Sequence, residues 1–403
     1  MTPALASSPA LHAPPQFLTP LVPCNLPVSR CAVSRESASR RILLMRLGGY
    51  GDILMGTPLL AALREAYPDA HLTWMAGHSE AQAIDANPYL DEVILWDAPY
   101  FRSAWRHARY AAAIRRFLAF RRALRSRRYD AFVSLQPEEW PLLTLVSGAA
   151  QTIGVFDTFT RHWGEEHHPH YRRFYKDVYS RPELHRIDQY LAVLEAFRLP
   201  EPAAPRLSMG FTSEDEAAAA AFLEERGVGP QDTVAALAPL TTWVTKNWPA
   251  ERYAALGDRL AKDCGCRVVL LGGSGDQETL TQIASQMSAP AVVSAGTLTF
   301  REAAALIHRS HLLVSGDTGP MHVAAAVGTP QVALFGATSP LWYGPRVPHA
   351  LPLLHPVPCG PCDKLSCSQT GNDYLRCLTL ITVDEAQAAA GRLLGGLKVR
   401  DLR

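Results

Sequence analysis

The chain has 403 residues, 48% of them hydrophobic and 19% charged, with a formal net charge of +1. That length accommodates two ordinary domains with sizeable cores, and the balance is that of a soluble globular protein. A net charge so close to zero excludes a global pull toward nucleic acid, no apolar run reaches the roughly 18 to 20 residues that cross a bilayer, and eight cysteines in so long a chain do not make a small disulfide scaffold.

Residues 1–40 carry seven prolines, no basic residue before Arg30 and no clean apolar core of a signal peptide. This segment is expected to be a disordered extension or the product of a start codon placed too early, and the protein is expected to be cytoplasmic. From Arg41 the pattern changes. "RILLMRL", "HLTWMAG", "EVILWD", "YDAFVSLQ" and "QTIGVF" read as parallel strands separated by segments long enough for crossover helices. They predict a doubly wound, Rossmann-like α/β domain over residues 41–205.

Between its first strand and first helix lies "RLGGYGDILMGTP", residues 46–58. A glycine-rich turn there usually cradles phosphate, because free N–H groups and the helix dipole favour an anion. Asp52 inside it would repel a phosphate, so another task is expected of this turn. Further on, the stretch 102–128 holds ten arginines and no acidic residue, interleaved with Trp105, Phe117, Leu118, Phe120 and Leu124. It reads as a basic amphipathic helix, either a solvated face or a surface for an anionic membrane or a phosphorylated glycolipid; no nucleic-acid recognition motif accompanies the charge. The histidines of "RHWGEEHHPH", 162 to 170, suit a solvated acceptor-side loop better than a metal site.

The proline-rich joint "RLPEPAAPRL", residues 198–207, marks a domain boundary. After it the alternation restarts with "TVAALAPL", "CRVVLLGG", "APAVVSAG", "HLLVSGD" and "PQVALFG", a second Rossmann-like domain over 206–382. Two such domains set the C-terminal ends of both sheets on either side of one cleft. In "SGDTGPMHVAAAVGTPQVALFG", residues 315–336, Asp317 or Thr318 can cap a helix that Pro320 opens and Gly328 and Pro330 close. Its N-terminus, with His322 in the first turn, suits a diphosphate; the plainer reading is a well-capped core helix. Cys359, Cys362, Cys367 and Cys377 fall within 19 residues, a spacing compatible with a four-thiolate zinc or iron site or with reduced structural cysteines. The closing helix of 383–403 is expected to pack back onto the first domain.

The Asp-Thr-Gly-x-x-His run at 317–322 resembles the signature of the ADP-heptose heptosyltransferases, glycosyltransferase family 9. The turn with Gly51, Asp52 and Pro58 resembles that family's acceptor loop, "TTWVTKNWP" at 241–249 is similar to its Lys followed by Trp-Pro signature, and "HRIDQYLAVLEAF" at 185–197 resembles its linker-proximal helix. The resemblance spans roughly residues 40–390 and implies the two-domain GT-B fold. It implies that Lys246 and Thr241 or Thr242 contact the donor's phosphates, with Asp317, Thr318, Gly319 and His322 completing the diphosphate site. Glu278 or Asp276 is expected toward the ribose, Gly49 and Gly51 on the acceptor side, and Asp52 as the catalytic base. Many family members carry a similar cysteine-rich segment, and a branch that heptosylates autotransporter proteins uses cysteines there for iron.

The expected activity is therefore inverting transfer of heptose from an ADP-sugar donor to an anionic glycolipid, the lipopolysaccharide core, with no cofactor required and a peripheral inner-membrane contact through 102–128. A protein acceptor, another nucleotide sugar and a noncatalytic donor-binding role are the alternatives. A nicotinamide-dependent dehydrogenase fares badly: the third glycine position of its fingerprint after Gly49 and Gly51 holds Leu54, and no acidic residue ends the second strand.

Overall fold

The computed structural model describes residues 40–137, 140–155, 173–179, 181 and 183–396. The expectations for 1–39, for the histidines of 162–170 and for 397–403 lie outside the described residues. In chain order the first half comprises β1 (Arg41–Met45), α1 (Tyr50–Ala66), β2 (His71–Ala76), β3 (Glu92–Leu95), α2 (Ala98–Arg106), α3 (Tyr110–Ser126), β4 (Ala131–Ser134), α4 (Leu142–Ser147), β5 (Gln151–Val155), β6 (Asp177–Tyr179) and α5 (Arg186–Leu191). The second comprises α6 (Ser213–Glu224), β7 (Val234–Ala238), α7 (Ala250–Cys264), β8 (Arg267–Leu270), α8 (Gln277–Ser285), β9 (Ala291–Val293), α9 (Phe300–Arg309), β10 (Leu312–Gly316), α10 (Gly319–Val327), β11 (Gln331–Phe335), α11 (Pro340–Tyr343), β12 (Ala350–Leu354), α12 (Arg376–Thr379) and α13 (Val383–Gly396).

Each half builds one six-stranded sheet in which every pairing is parallel, in the orders β3-β2-β1-β4-β5-β6 and β12-β11-β10-β7-β8-β9. Counted from its own first strand, the second order is the same as the first, so the fold is one doubly wound unit used twice. The central strands are buried on both faces, which is why "RILLM", "VAALA" and "LLVSG" read as unbroken apolar or small runs and not as alternation. Five strands per half are visible in this way. The sixth of each, β6 and β12, stands at a sheet edge; β6 has three half-buried residues and β12 carries Pro352, which an edge strand tolerates because one side of its ladder is open.

In each sheet the strand order reverses between two central neighbours, β1 and β4 in the first and β7 and β10 in the second. Ligands of open α/β sheets bind outside the carboxyl ends of strands at such points. The glycine turn leaves β1, the Lys246 segment leaves β7 and the Asp317 segment leaves β10, so all three open at a reversal point.

Contacts between the halves are numerous. One apolar cluster is continuous from Leu44, Leu54 and Val133 to Ala236, Leu313, Val323 and Ala324. The joint is tied down by Ser208, whose amide donates to Thr57 Oγ1 at 2.9 Å and whose carbonyl accepts from Asn87 Nδ2 at 3.1 Å. Arg301 of α9 bridges Asp85 at 2.8 Å and Asp215 at 3.0 Å. The expectation for the closing helix is corrected: Ala386, Ala389 and Ala390 of α13 share the second sheet's core with Trp248, Leu256 and Leu334. Three alanines make a face narrow enough to lie flat on α7, where Arg259 Nη1 binds Asp384 and donates to Gln387 Oε1 at 3.0 Å. No described helix is long and apolar enough to cross a membrane.

The joint also sets the first test. A Cβ on Gly210 would stand 1.8 Å from the carbonyl oxygen of Ala86, so Gly210→Ala forces backbone apart and is expected to destabilise by about 1–3 kcal/mol. Calorimetry should show a Tm lower by several degrees; an unchanged Tm would mean the junction yields freely.

Candidate active site

The turn after β1 is built around two glycine requirements. Gly49 has φ +77 and caps α1, and a Cβ on it would also lie 2.6 Å from Asp52 Oδ2. Gly51 has ordinary dihedrals, but a Cβ there would lie 2.5 Å from His322 Cδ2. The missing side chain lets the first half's turn touch the first turn of α10. Beside it Tyr50 stacks on Phe300 with centroids 3.9 Å apart, and Phe300 N donates to Gln82 Oε1 at 2.9 Å.

Asp52 thus stands in the first turn of α1, where the helix dipole favours a carboxylate. Arg46 Nη2 donates to its Oδ2 at 2.6 Å while Arg46 Nε donates to Gly48 O at 3.1 Å, and Arg186 Nε lies 3.7 Å from Oδ1. Arg186 is itself buried, 5.5 Å from the ring of Tyr343 and 5.7 Å from that of Tyr190, with Nη2 donating to the Tyr343 hydroxyl at 3.4 Å. Burial pushes the Asp52 carboxyl up, but the Arg46 and Arg186 charges, the Arg46 hydrogen bond and His322 pull it further the other way, so it is held below the usual carboxylate range. Its side chain keeps 26% exposure while that of Arg186 has 3%. A ligand can therefore reach the carboxylate but not the guanidinium behind it.

Across the contact, Lys246 ends a short 3-10 turn, Val244–Lys246, after β7. Its Nζ donates to Asp317 Oδ2 at 2.8 Å and lies 4.3 Å from the centroid of Trp243. Asp317 Oδ1 is 3.8 Å from His322 Nε2. Burial alone would raise the Asp317 carboxyl, and Lys246 with His322 hold it far below its ordinary value. Asp317, expected on the donor side, faces Lys246 and lies beside His322. Thr318 is the N-cap of α10, without a side-chain capping bond, and Gly319 faces Tyr50 Cβ. Thr241 packs Cγ2 beside Gly316, and its hydroxyl donates to Trp243 O at 2.8 Å; Thr242 is exposed.

The structure therefore gathers Lys246, Asp317, His322, Gly51 and Asp52 into one run across the two halves. It leaves Glu278 apart: that carboxylate is exposed on the first turn of α8 and accepts from Gln282 of the same helix at 3.4 Å. Asp276 is spent on its own loop, accepting from Gly273 N at 2.8 Å. Arg46 and Arg186 are the functional residues that sequence reasoning missed. Arg46 was visible in the same motif, six residues from Asp52; Arg186 lies in the "HRIDQYLAVLEAF" stretch, but its approach to Asp52 is made only by the fold.

A profile described as Glycosyltransferase family 9 (heptosyltransferase) matches residues 117–372, more than half of the chain. The chain belongs to glycosyltransferase family 9. Lipopolysaccharide heptosyltransferase 3 of Escherichia coli is 25% identical over 299 residues, which are 73% of this chain and 83% of that protein. The crystal structure of the glycosyl transferase family 9 from Veillonella parvula matches with a TM-score of 0.72 at 26% identity, covering 89% of this chain and 97% of that one. The structure of E. coli ADP-heptose lipopolysaccharide heptosyltransferase II matches in fold with a TM-score of 0.68 at 23% identity, covering 89% and 100%. The chain is thus a glycosyltransferase with the GT-B architecture.

In this family 9 chain the four cysteines expected to hold zinc or iron come together in space. Cys359, Cys362, Cys367 and Cys377 line one cavity of about 20 Å³, yet among the described residues no three His, Cys, Asp or Glu side chains are arranged to hold a metal ion. Burial pushes the Cys377 thiol up to about 11, with the neighbouring thiols adding to it, so it stays protonated at neutral pH. The segment does brace the site: buried Thr245, next to Lys246, lines the same cavity and donates to Lys364 O at 2.6 Å.

A pH-sensitive contact ties the halves beside Arg186. His185 Nδ1 accepts from Ile187 N at 3.1 Å and Nε2 donates to Gly344 O at 3.0 Å, a neutral tautomer. Burial, then the charge of Arg346, lowers its pKa to about 4 against the carbonyl's opposing pull. The unfolded chain, with a histidine near 6.5, binds a proton that the folded chain refuses. Stability is therefore fully present above about pH 6.5 and falls as pH drops toward about 4, by on the order of 3 kcal/mol at about 1.4 kcal/mol per unit. Chemical denaturation across pH 4 to 7 should show this slope, and His185→Gln should flatten it.

Proposed function

We propose that this chain is an inverting glycosyltransferase that carries heptose from ADP-heptose to an anionic glycolipid, the lipopolysaccharide core. The observation that carries the reading is the Gly51–His322 contact, which sets a carboxylate and a lysine-histidine pair side by side at the reversal points of two sheets. The names of the similar heptosyltransferases support the sugar and the acceptor class.

In this reading the donor's diphosphate meets Lys246, His322, Thr241 or Thr242 and the N-terminus of α10, with Thr318 and Gly319 beside them and Glu278 or Asp276 toward the ribose. The acceptor hydroxyl attacks the anomeric carbon from the face opposite the diphosphate. As the carbon–oxygen bond to ADP breaks, its electron pair leaves with the diphosphate, and fixed positive charge stabilises it without reorganisation. The hydroxyl proton passes to Asp52. Held below the usual carboxylate range, Asp52 is always ionised at neutral pH and is fixed in direction by Arg46, which favours an oriented base over a strong one. No step is assigned to a metal, and the enzyme works at the cytoplasmic face of the membrane that holds its acceptor.

Replacing Asp52 by Asn should lower turnover by roughly 10² to 10⁴ while ADP binding and Tm survive; turnover near that of the parent protein would remove Asp52 from the mechanism. Lys246→Ala should weaken ADP binding and transfer together, and unchanged affinity by titration calorimetry would count against the phosphate role. The overall reading is checked by incubating the protein with ADP-heptose and a truncated lipopolysaccharide. Mass spectrometry should find the acceptor heavier by one heptose. Transfer only from another nucleotide sugar, only to protein, or donor binding with no transfer would each replace it.

A further inference from the structure

The exposed apolar residues of this protein are not scattered. Of twelve large hydrophobic side chains at least 37% exposed among the described residues, six lie on α2, α3 and α4. Single exposed apolar residues need no explanation, but a concentrated patch does. The patch lies on helices that already have a satisfied inner face: Ala113, Phe117, Phe120 and Leu124 of α3 turn inward, and Phe101, Phe117 and Phe120 ring the buried Trp96 at 4.6, 6.4 and 4.9 Å.

A second apolar row therefore runs along α3 with no interior to fill. Tyr110, Ile114 and Leu118 recur every four residues and are 45%, 55% and 52% exposed. Trp105 of α2, 70% exposed, sets its ring edge-on to Tyr110 at 5.1 Å. The row continues at helical spacing through Arg121 to Arg125, whose Nε donates to Val146 O of α4 at 3.3 Å. That brings α4 alongside, where Leu142 and Leu145 are 55% and 53% exposed.

The charge around this row has one sign. Between residues 92 and 128 there are ten arginines and two carboxylates, Glu92 and Asp97, engaged by Arg127 and by Arg116. Arg115 and Arg122 are exposed on α3 beside Ile114 and Leu118. A second copy of this chain would bring the same arginines against these, and nucleic acid would leave the apolar row in water. An anionic bilayer satisfies both features: guanidiniums take lipid phosphates in paired hydrogen bonds while the row sinks into the headgroup boundary.

We infer that the α2–α3–α4 face is a membrane-docking surface that seats the acceptor-side half of the enzyme on an anionic lipid bilayer, with Trp105, Ile114, Leu118, Leu142 and Leu145 entering the interface. This deepens the glycolipid-acceptor reading, and it is tested without donor or acceptor. The full chain is sedimented with vesicles of phosphatidylcholine containing about a third phosphatidylglycerol, and with vesicles of phosphatidylcholine alone. Binding should be tenfold or more tighter to the anionic vesicles and should weaken with salt.

Ile114→Ser with Leu118→Ser, and separately Arg115→Glu with Arg122→Glu, should each cut partitioning about tenfold or more, with Tm unchanged because these side chains are exposed. No binding to anionic vesicles, equal binding to both, or binding indifferent to both pairs of substitutions overturns the inference. So does a dimer in solution that Ile114→Ser with Leu118→Ser disperses. A protein that glycosylates detergent-dispersed acceptor but ignores vesicles overturns the docking surface alone; one that binds vesicles and transfers no sugar overturns the enzymatic reading alone.

Discussion

An ionised carboxylate taken out of water costs several kcal/mol unless cations and hydrogen bonds surround it. Asp317, 6% exposed, meets that condition with Lys246 on one oxygen and His322 on the other. This constraint ties together two loops that leave different strands, because Lys246 follows β7 and Asp317 with His322 follow β10. Moving either loop would leave a buried charge unpaired, so the positions of the two loops are coupled. The brace from Lys364 to Thr245 holds the same turn from behind.

The first half repeats the arrangement with the roles exchanged. There the carboxylate, Asp52, is the accessible group, and the cations Arg46 and Arg186 stand behind it. Arg186 belongs to the segment leading out of the first half and reaches Tyr343 in the second, so the electrostatics of Asp52 depend on both halves being in place. His322 is common to the two arrangements, near Asp317 on one side and against Gly51 on the other. In the proposed mechanism the base and the leaving-group site thereby share one neighbour and respond to the same approach of the two halves, as a reaction that must exclude water requires.

Much of this was legible in the residues. Ten of the twelve described strands announce themselves as apolar runs, the central ones because parallel strands are covered on both faces. The two that do not, β6 and β12, stand at sheet edges as β3 and β9 also do; β12 is interrupted by Pro352, and β6 is a three-residue strand that opens on Asp177. The residues Asp52, Lys246, Asp317 and His322, named through the motifs that resemble the family's, do meet. Glu278, named for the ribose end of the donor, is exposed on the first turn of α8 and stands apart from them. The alanine-rich closing helix could equally have covered either half, and only the fit of Ala386, Ala389 and Ala390 to α7 chose between them.

By itself the sequence determined what depends on neighbours along the chain: the doubled α/β pattern, the glycines that let two turns approach, the glycine end of α10 and the chemistry available in each loop. The tertiary structure alone decided which charges face one another. Arg186 and Asp52 are 134 positions apart in the sequence and Lys246 and Asp317 are 71 apart, and each pair meets only because two sheets reverse their strand order beside one cleft. Local periodicity reports burial, but a Coulomb interaction depends on distance through space, and that distance exists only once both halves have folded and closed on each other.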